Sequence, residues 1–214
     1  KPLADQQGSG MHTHMSLFQD DTNAFNDPDD QYGLSVVGRA FVAGLLRHAS
    51  EITAVTNQLV NSYKRLVPGF EAPNTISWAR NNRSALVRIP RHKAGKHVST
   101  RVEYRAPDPA CNPYLAFALI LAAGMKGVRE GYELPPEAPD NLHRLSDAER
   151  SALGIGTLPR SLAQALEDME SSQLVQDTLG PHIFEWFVRN KYSEWADYKA
   201  HVSQFELDRY LRAW

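Results

Sequence analysis

The chain has 214 residues, 42% hydrophobic and 22% charged, with a formal net charge of −2, so it reads as a globular protein of one large domain or one and a half ordinary ones. At this size enough surface is buried for folding without a metal or disulfide staple, and the near balance of charge excludes a globally basic nucleic-acid binder or an acidic disordered tail. The single cysteine, Cys111, has no internal disulfide partner, which points to a reducing compartment or to indifference about redox; the longest apolar run, Tyr114 to Met125, is too short for a membrane span.

Lys1-Pro2-Leu3 shows no basic-then-apolar targeting pattern, and the missing initiator Met suggests that the chain continues upstream. The run from Gly8 to Leu17 alternates, so an extended strand there puts His12, His14 and Ser16 on one face and Met11, Met15 and Leu17 on the other. Two imidazoles on one face take a divalent cation, bond phosphate oxygens or simply meet water. The Gly8-Ser9-Gly10 that precedes them permits close approach of backbone to a ligand. A helix is predicted from the N-cap Ser35 to about Ala49, apolar at Val37, Phe41, Leu45 and Leu46. Between Asn61 and Pro73, the Pro68-Gly69 turn carries Glu71 on what reads as a defined lid.

A short strand from Ser84 to Ile89 follows the polar Arg80-Asn81-Asn82-Arg83. The next strand, Val98 to Arg105, sets Arg101, Glu103 and Arg105 on one face and Val102 and Tyr104 on the other. A carboxylate between guanidiniums is either a surface ion-pair ladder or a ligand set, with Glu103 on a metal and the arginines on anions. Asn112 and Pro113 open a helix over Tyr114 to Val128 that is apolar on nearly every face, as for a buried central helix. Pro135 to Pro159 reads as a surface loop and Ser161 to Ser171 as a short amphipathic helix. From Pro181 to Trp214 one long helix or two carry the stripe Phe184, Phe187, Trp195, Tyr198, Val202 and Phe205. No internal repeat is visible.

Charge is uneven along the chain. Residues 61–105 hold ten Lys and Arg against Glu71 and Glu103, a net +8 that leaves −10 elsewhere. A local basic concentration in a near-neutral protein reads as a site for phosphates or carboxylates. The elements together predict an α+β fold: a curved, mainly antiparallel sheet with a polar site face, backed by helices.

Four motifs occur in order: Gly-Ser-Gly-Met-His-Thr-His-Met-Ser from Gly8, Asn-Ser-Tyr-Lys-Arg-Leu-Val-Pro-Gly-Phe-Glu-Ala-Pro from Asn61, Asn-Arg-Ser-Ala-Leu-Val-Arg-Ile-Pro from Asn82, and Arg-Val-Glu-Tyr-Arg-Ala-Pro-Asp-Pro-Ala-Cys-Asn-Pro-Tyr-Leu-Ala from Arg101. In this order and spacing the chain resembles the catalytic domain of the glutamine synthetase family, of the bacterial long-chain type, from about Gln7 to its end. The resemblance implies that residues 1–214 are the C-terminal portion of that domain, with a β-grasp domain and the first catalytic strands lying upstream.

It further implies that His12 and Glu103 ligate Mg²⁺ or Mn²⁺, and that His14, Ser16 and Arg101 contact ATP. Gly8, Arg65 and Arg105 would hold glutamate, Arg83 and Arg88 would face the phosphates and the phosphorylated intermediate, and Glu71 would be the acid that takes a proton from the attacking ammonium. The implied activity is ATP-dependent synthesis of glutamine from glutamate and ammonia, in a cytoplasmic homo-oligomer of stacked rings, with no nucleic-acid or membrane partner. Gln7 stands where Asn is usual, Val98 where bacterial members have a nucleotide-contacting lysine, and His143 where some have an adenylylated tyrosine. These departures keep open a γ-glutamylpolyamine synthetase using a larger amine. A module that assembles without catalysing is the remaining alternative, and residues 1–214 alone are expected to be inactive.

Overall fold

Ser35 starts the first helix as predicted: its hydroxyl accepts from the Gly38 N–H at 3.1 Å, closing the first turn of α1 (Val36–Arg47). The computed structural model describes residues 1–67, 72–91, 97–139, 142 and 145–211. After α1 the chain turns at His48 and continues as α2 (Ala49–Thr56), which the sequence pattern did not predict. Its Thr53 and Thr56 are fully buried and bond back to the helix carbonyls of Ala49 and Ile52, at 2.7 and 3.2 Å, so polar residues occupy core positions without orphaned hydroxyls. A 3-10 turn over Val60–Lys64 follows.

The sheet is shorter than the alternation suggested. Its four strands run β1 (Thr13–Met15), β6 (Val102–Tyr104), β5 (Val87–Arg88), β4 (Trp78–Ala79) in space, antiparallel except for the parallel β4–β5 pair. The α+β, mainly antiparallel expectation therefore stands, with the strands trimmed: residues 97–99 form a 3-10 turn rather than the start of β6. A hairpin of β2 (Phe18–Gln19) and β3 (Thr22–Asn23) lies apart from this sheet.

Asn112 caps α3 (Pro113–Glu130), accepting from Tyr114 N and Leu115 N, with Pro113 at the first helical position. This helix is not buried all round: Leu119, Ile120 and Ala123 face the core, while Tyr114, Phe117 and Leu121 are exposed. Its inner face packs along α1, and the fully buried Trp78, Tyr104, Phe25 and Phe41 fill the space between helices and sheet.

The stretch expected to be a loop, 135–159, contains α4 (Asp147–Ala152), whose Ser146 and Glu149 form a reciprocal capping box. Beyond α4 the chain pairs with residues 74–76: Ile76 N donates to Gly156 O at 2.8 Å and Leu158 N to Asn74 O at 3.0 Å. Ser161 caps α5 (Leu162–Glu170) where predicted.

The last long helix, α6 (Gln173–Ala200), begins before Pro181. Gly180, at φ 71°, breaks it into two stretches with Pro181 opening the second. The expected apolar stripe divides further along, between Trp195 and Tyr198: Phe184, Phe187 and Trp195 pack on the core, whereas Tyr198, Val202 and Phe205 are exposed. A final helix, α7 (Gln204–Tyr210), buries nothing. Among the described residues no helix is long and apolar enough to cross a membrane.

Candidate active site

Register places the polar groups. On β6, Glu103 is the partner of His14 on β1 and of Arg88 on β5, so the three side chains form a row across one face of the sheet. His12 and Arg105, two residues along from members of that row, join the same face. The Glu103 carboxylate is 3% exposed and gathers the cluster. Its Oε1 lies 3.0 Å from His12 Nδ1, 3.3 Å from Arg105 Nη1 and 3.9 Å from His14 Nε2, while Arg88 Nη1 donates to Oε2 at 2.6 Å.

Burial alone would raise the Glu103 pKa, but the Arg88 hydrogen bond and the charges of Arg105, Arg88 and His14 outweigh it and hold the carboxyl below its usual range. An ionised carboxylate only accepts, so His12 must present an Nδ1–H to it, leaving its Nε2 lone pair for a ligand. His12 is held below the usual imidazole range by burial and then by the Arg105 charge, with Glu103 opposing. A neutral imidazole beside an ionised carboxylate is the donor chemistry a divalent cation takes. It is a partial set: among the described residues no group of three or more His, Cys, Asp or Glu converges on one point.

Next to this cluster a cavity of about 160 Å³ is lined by Gln7, Gly8, Gly10, His12, Arg65, Ala72 and Arg105. Arg65 is 4% exposed, and its guanidinium donates to the carbonyls of Ala106 at 2.7 Å and Arg105 at 3.0 Å, tying the chain after β6 to the cavity wall. Gly10 is there because a Cβ would run into the Arg65 guanidinium. The motif gave Gly8 a role and left Gly10 as a neighbour; its function is to let the cationic wall close.

Other predicted residues fall around this centre. Arg101 Nε donates to His14 Nδ1 at 3.2 Å, so these two do meet. Ser16 lies past the end of β1 and lines an apolar groove with Met15, Leu17, Phe117 and Leu121. The four arginines assigned to glutamate and to the phosphates divide: Arg65 and Arg105 line the cavity, Arg88 reaches the cluster through Glu103, and Arg83 is exposed on the turn near Ser84 and does not line it. Glu71 and His143 lie outside the described residues.

One positioning residue was missed. Asn23 is buried, and its amide donates to the carbonyls of Val98 at 3.0 Å and Thr100 at 2.7 Å, fixing the approach to Arg101. In sequence it looks like a turn asparagine after Asp20-Asp21-Thr22.

A family model for the glutamine synthetase catalytic domain matches residues 1–210. The chain belongs to the glutamine synthetase family. The glutamine synthetase of Mycolicibacterium smegmatis is 58% identical over 211 residues, 99% of this chain and 47% of its own length. That of Thermotoga maritima is 51% identical over the same number of residues. A solved GmaS/ADP complex superposes with a TM-score of 0.83 at 35% identity, covering 99% of this chain and 48% of that one. The chain thus spans about half the length of the glutamine synthetases it matches. Of the departures from the family pattern, Gln7 lines the cavity beside Gly8 and Val98 is exposed.

Proposed function

We propose that this chain supplies part of the active site of an ATP-dependent ligase that makes L-glutamine from L-glutamate and ammonia. The observation that carries the reading is the buried Glu103 carboxylate gathered by His12, Arg88 and Arg105 beside the Arg65 cavity. A carboxylate must be activated before an amine will displace its oxygen. In the proposed reaction a γ-carboxylate oxygen of glutamate bonds to the γ-phosphorus of ATP and the bond to ADP breaks. Ammonium gives a proton to Glu71, the resulting ammonia bonds to the acyl carbon of γ-glutamyl phosphate, and the acyl C–O bond breaks so that inorganic phosphate leaves with the second proton from nitrogen.

Such chemistry needs charge around the phosphoryl oxygens more than it needs a protein nucleophile. Arg88 and Arg83 are assigned to those oxygens, while Gly8, Arg65 and Arg105 hold glutamate at the cavity. His14, Ser16 and Arg101 take the nucleotide. His12 and Glu103 are the residues to hold Mg²⁺ or Mn²⁺, which when bound adds positive charge at the phosphates. Glu71 also helps to keep water from the acyl phosphate in this scheme. A cytoplasmic assembly of stacked rings belongs to the same reading.

Relatives named glutamine synthetase at 44–58% identity support ammonia as the amine, against 35–36% for the GmaS structures. The test is ATP-dependent phosphate release by the full-length protein, given glutamate with either ammonium or a diamine series, each product identified by mass. Glutamine as the dominant product is expected. A γ-glutamyl-amine with negligible glutamine overturns the choice of amine.

A further inference from the structure

A second cavity, of about 290 Å³, shares no lining residue with the one at His12. Its walls come from the 3-10 turn carrying Tyr63, from Leu66, and from the paired segments holding Asn74 and Leu158, with Arg150 and Arg160 beside them. The Leu158 N–H to Asn74 carbonyl bond and the Thr75–Thr157 bridge fix one wall as a small sheet-like corner. None of the residues assigned to the ligase reaction is part of it.

The chemistry of this cavity is uneven in a way that folding does not require. Tyr63 is only 6% exposed, yet its hydroxyl is shielded from solvent and has no hydrogen-bond partner among the described residues. Burial, and then the charges of Asp168, Asp108 and Glu194, hold this phenol above its usual range, so it remains an O–H donor. An unsatisfied buried hydroxyl is a cost that a bound acceptor removes. Arg150 donates to the Leu145 carbonyl at 2.6 Å, which fixes its guanidinium at the wall. Arg160 is exposed at the rim and forms no ion pair among the described residues. Among the described residues no carboxylate lines the cavity, and Leu66 and Leu158, both buried, give it an apolar side.

We infer that this cavity binds a small aliphatic carboxylate. The carboxylate group meets Arg160 at the rim and accepts from the Tyr63 hydroxyl, while a short hydrocarbon body lies on Leu66 and Leu158. The apolar side separates this guest from inorganic phosphate, which gains nothing from leucine. The volume, at the low end for ligand sites, limits the guest to a few carbons beyond its carboxylate.

The test is calorimetric titration and thermal shift of the full-length protein with acetate, butyrate, butanol and inorganic phosphate. Each titration is run without and with saturating glutamate, so that binding at the proposed substrate site is told apart from binding in this cavity. Butyrate is expected to bind saturably, about tenfold tighter than butanol or phosphate and several-fold tighter than acetate. Arg160→Gln, at an exposed position, should weaken butyrate about tenfold, and Tyr63→Phe about three- to tenfold. Without ligand, Tyr63→Phe should leave Tm unchanged or raise it, because the hydroxyl has no bond to lose; a structural hydroxyl would instead lower Tm. The proposal is overturned by absence of saturable butyrate binding, by preference for phosphate, by loss of binding under saturating glutamate, or by wild-type affinity in both variants.

Discussion

Two histidine–glutamate pairs of almost equal length do different work. His12 Nδ1 lies 3.0 Å from Glu103 on the sheet face, and His48 Nδ1 lies 2.9 Å from Glu51 on the helical side. Around His48 the polar groups close on one another: Glu51 also accepts from the Ser172 hydroxyl, joining α2 to the start of α6, and the histidine is 8% exposed. Around Glu103 the exposure is inverted, with the carboxylate at 3% and the histidine at 38%, and two guanidiniums converge on the one acid. The first network satisfies itself and serves packing. The second concentrates cationic charge beside an open imidazole, an arrangement that earns its cost only when a ligand arrives.

The largest expected effect that separates the pairs comes from Glu103→Gln. It removes the buried carboxylate shared by Arg88 and the 5% exposed Arg105, so it should cost about 3–5 kcal/mol in denaturant unfolding. In the full-length enzyme it should also lower turnover about 10²- to 10³-fold. Glu51→Gln should leave turnover near wild type, and an equal loss of turnover from both changes would break the comparison.

Glu51→Gln should instead cost about 1–2 kcal/mol of stability, with a pH signature. Burial raises the Glu51 pKa, but the bonds from His48 and Ser172 more than reverse this and leave it below its ordinary value of 4.5. A depressed folded-state pKa contributes stability above the unfolded value, and that stability is lost as pH falls through the folded one. Denaturation midpoints measured downward from pH 5 should therefore drop more steeply for wild type than for Glu51→Gln. Parallel curves would contradict the assignment. Tyr132→Phe should have the smallest effect, below about 1 kcal/mol by the same measurement, since its hydroxyl donates at 2.7 Å only to the exposed Glu130 and its 3.5 Å approach to His48 Nε2 is long for a hydrogen bond.

These two regions also differ in how well the sequence disclosed them. The sheet-face residues were legible because alternation put His12 with His14 and Glu103 with Arg105, and because their motifs resemble a known family. What alternation did not show is that pairing stops at Met15 and begins at Val102, so Ser16 ends at an apolar groove rather than in the row. The His48 network was invisible because α2 was: Thr53 and Thr56 read as polar, and only their bonds to the helix backbone make them core residues. Capping was the most reliable signal, placing Ser35 and Asn112 at their helix starts. Ser172, also a cap, was hidden because Pro181 suggested a later beginning for α6.

The proposed metal role belongs to the sheet-face pair and not to its counterpart on the helices. Titration of Mn²⁺ into the full-length protein, followed by the loss of free-ion electron paramagnetic resonance signal, tests it directly. His12→Gln and Glu103→Gln should each weaken Mn²⁺ binding by about tenfold or more, while His48→Gln binds as wild type does. Wild-type Mn²⁺ affinity in both sheet-face variants would contradict the account.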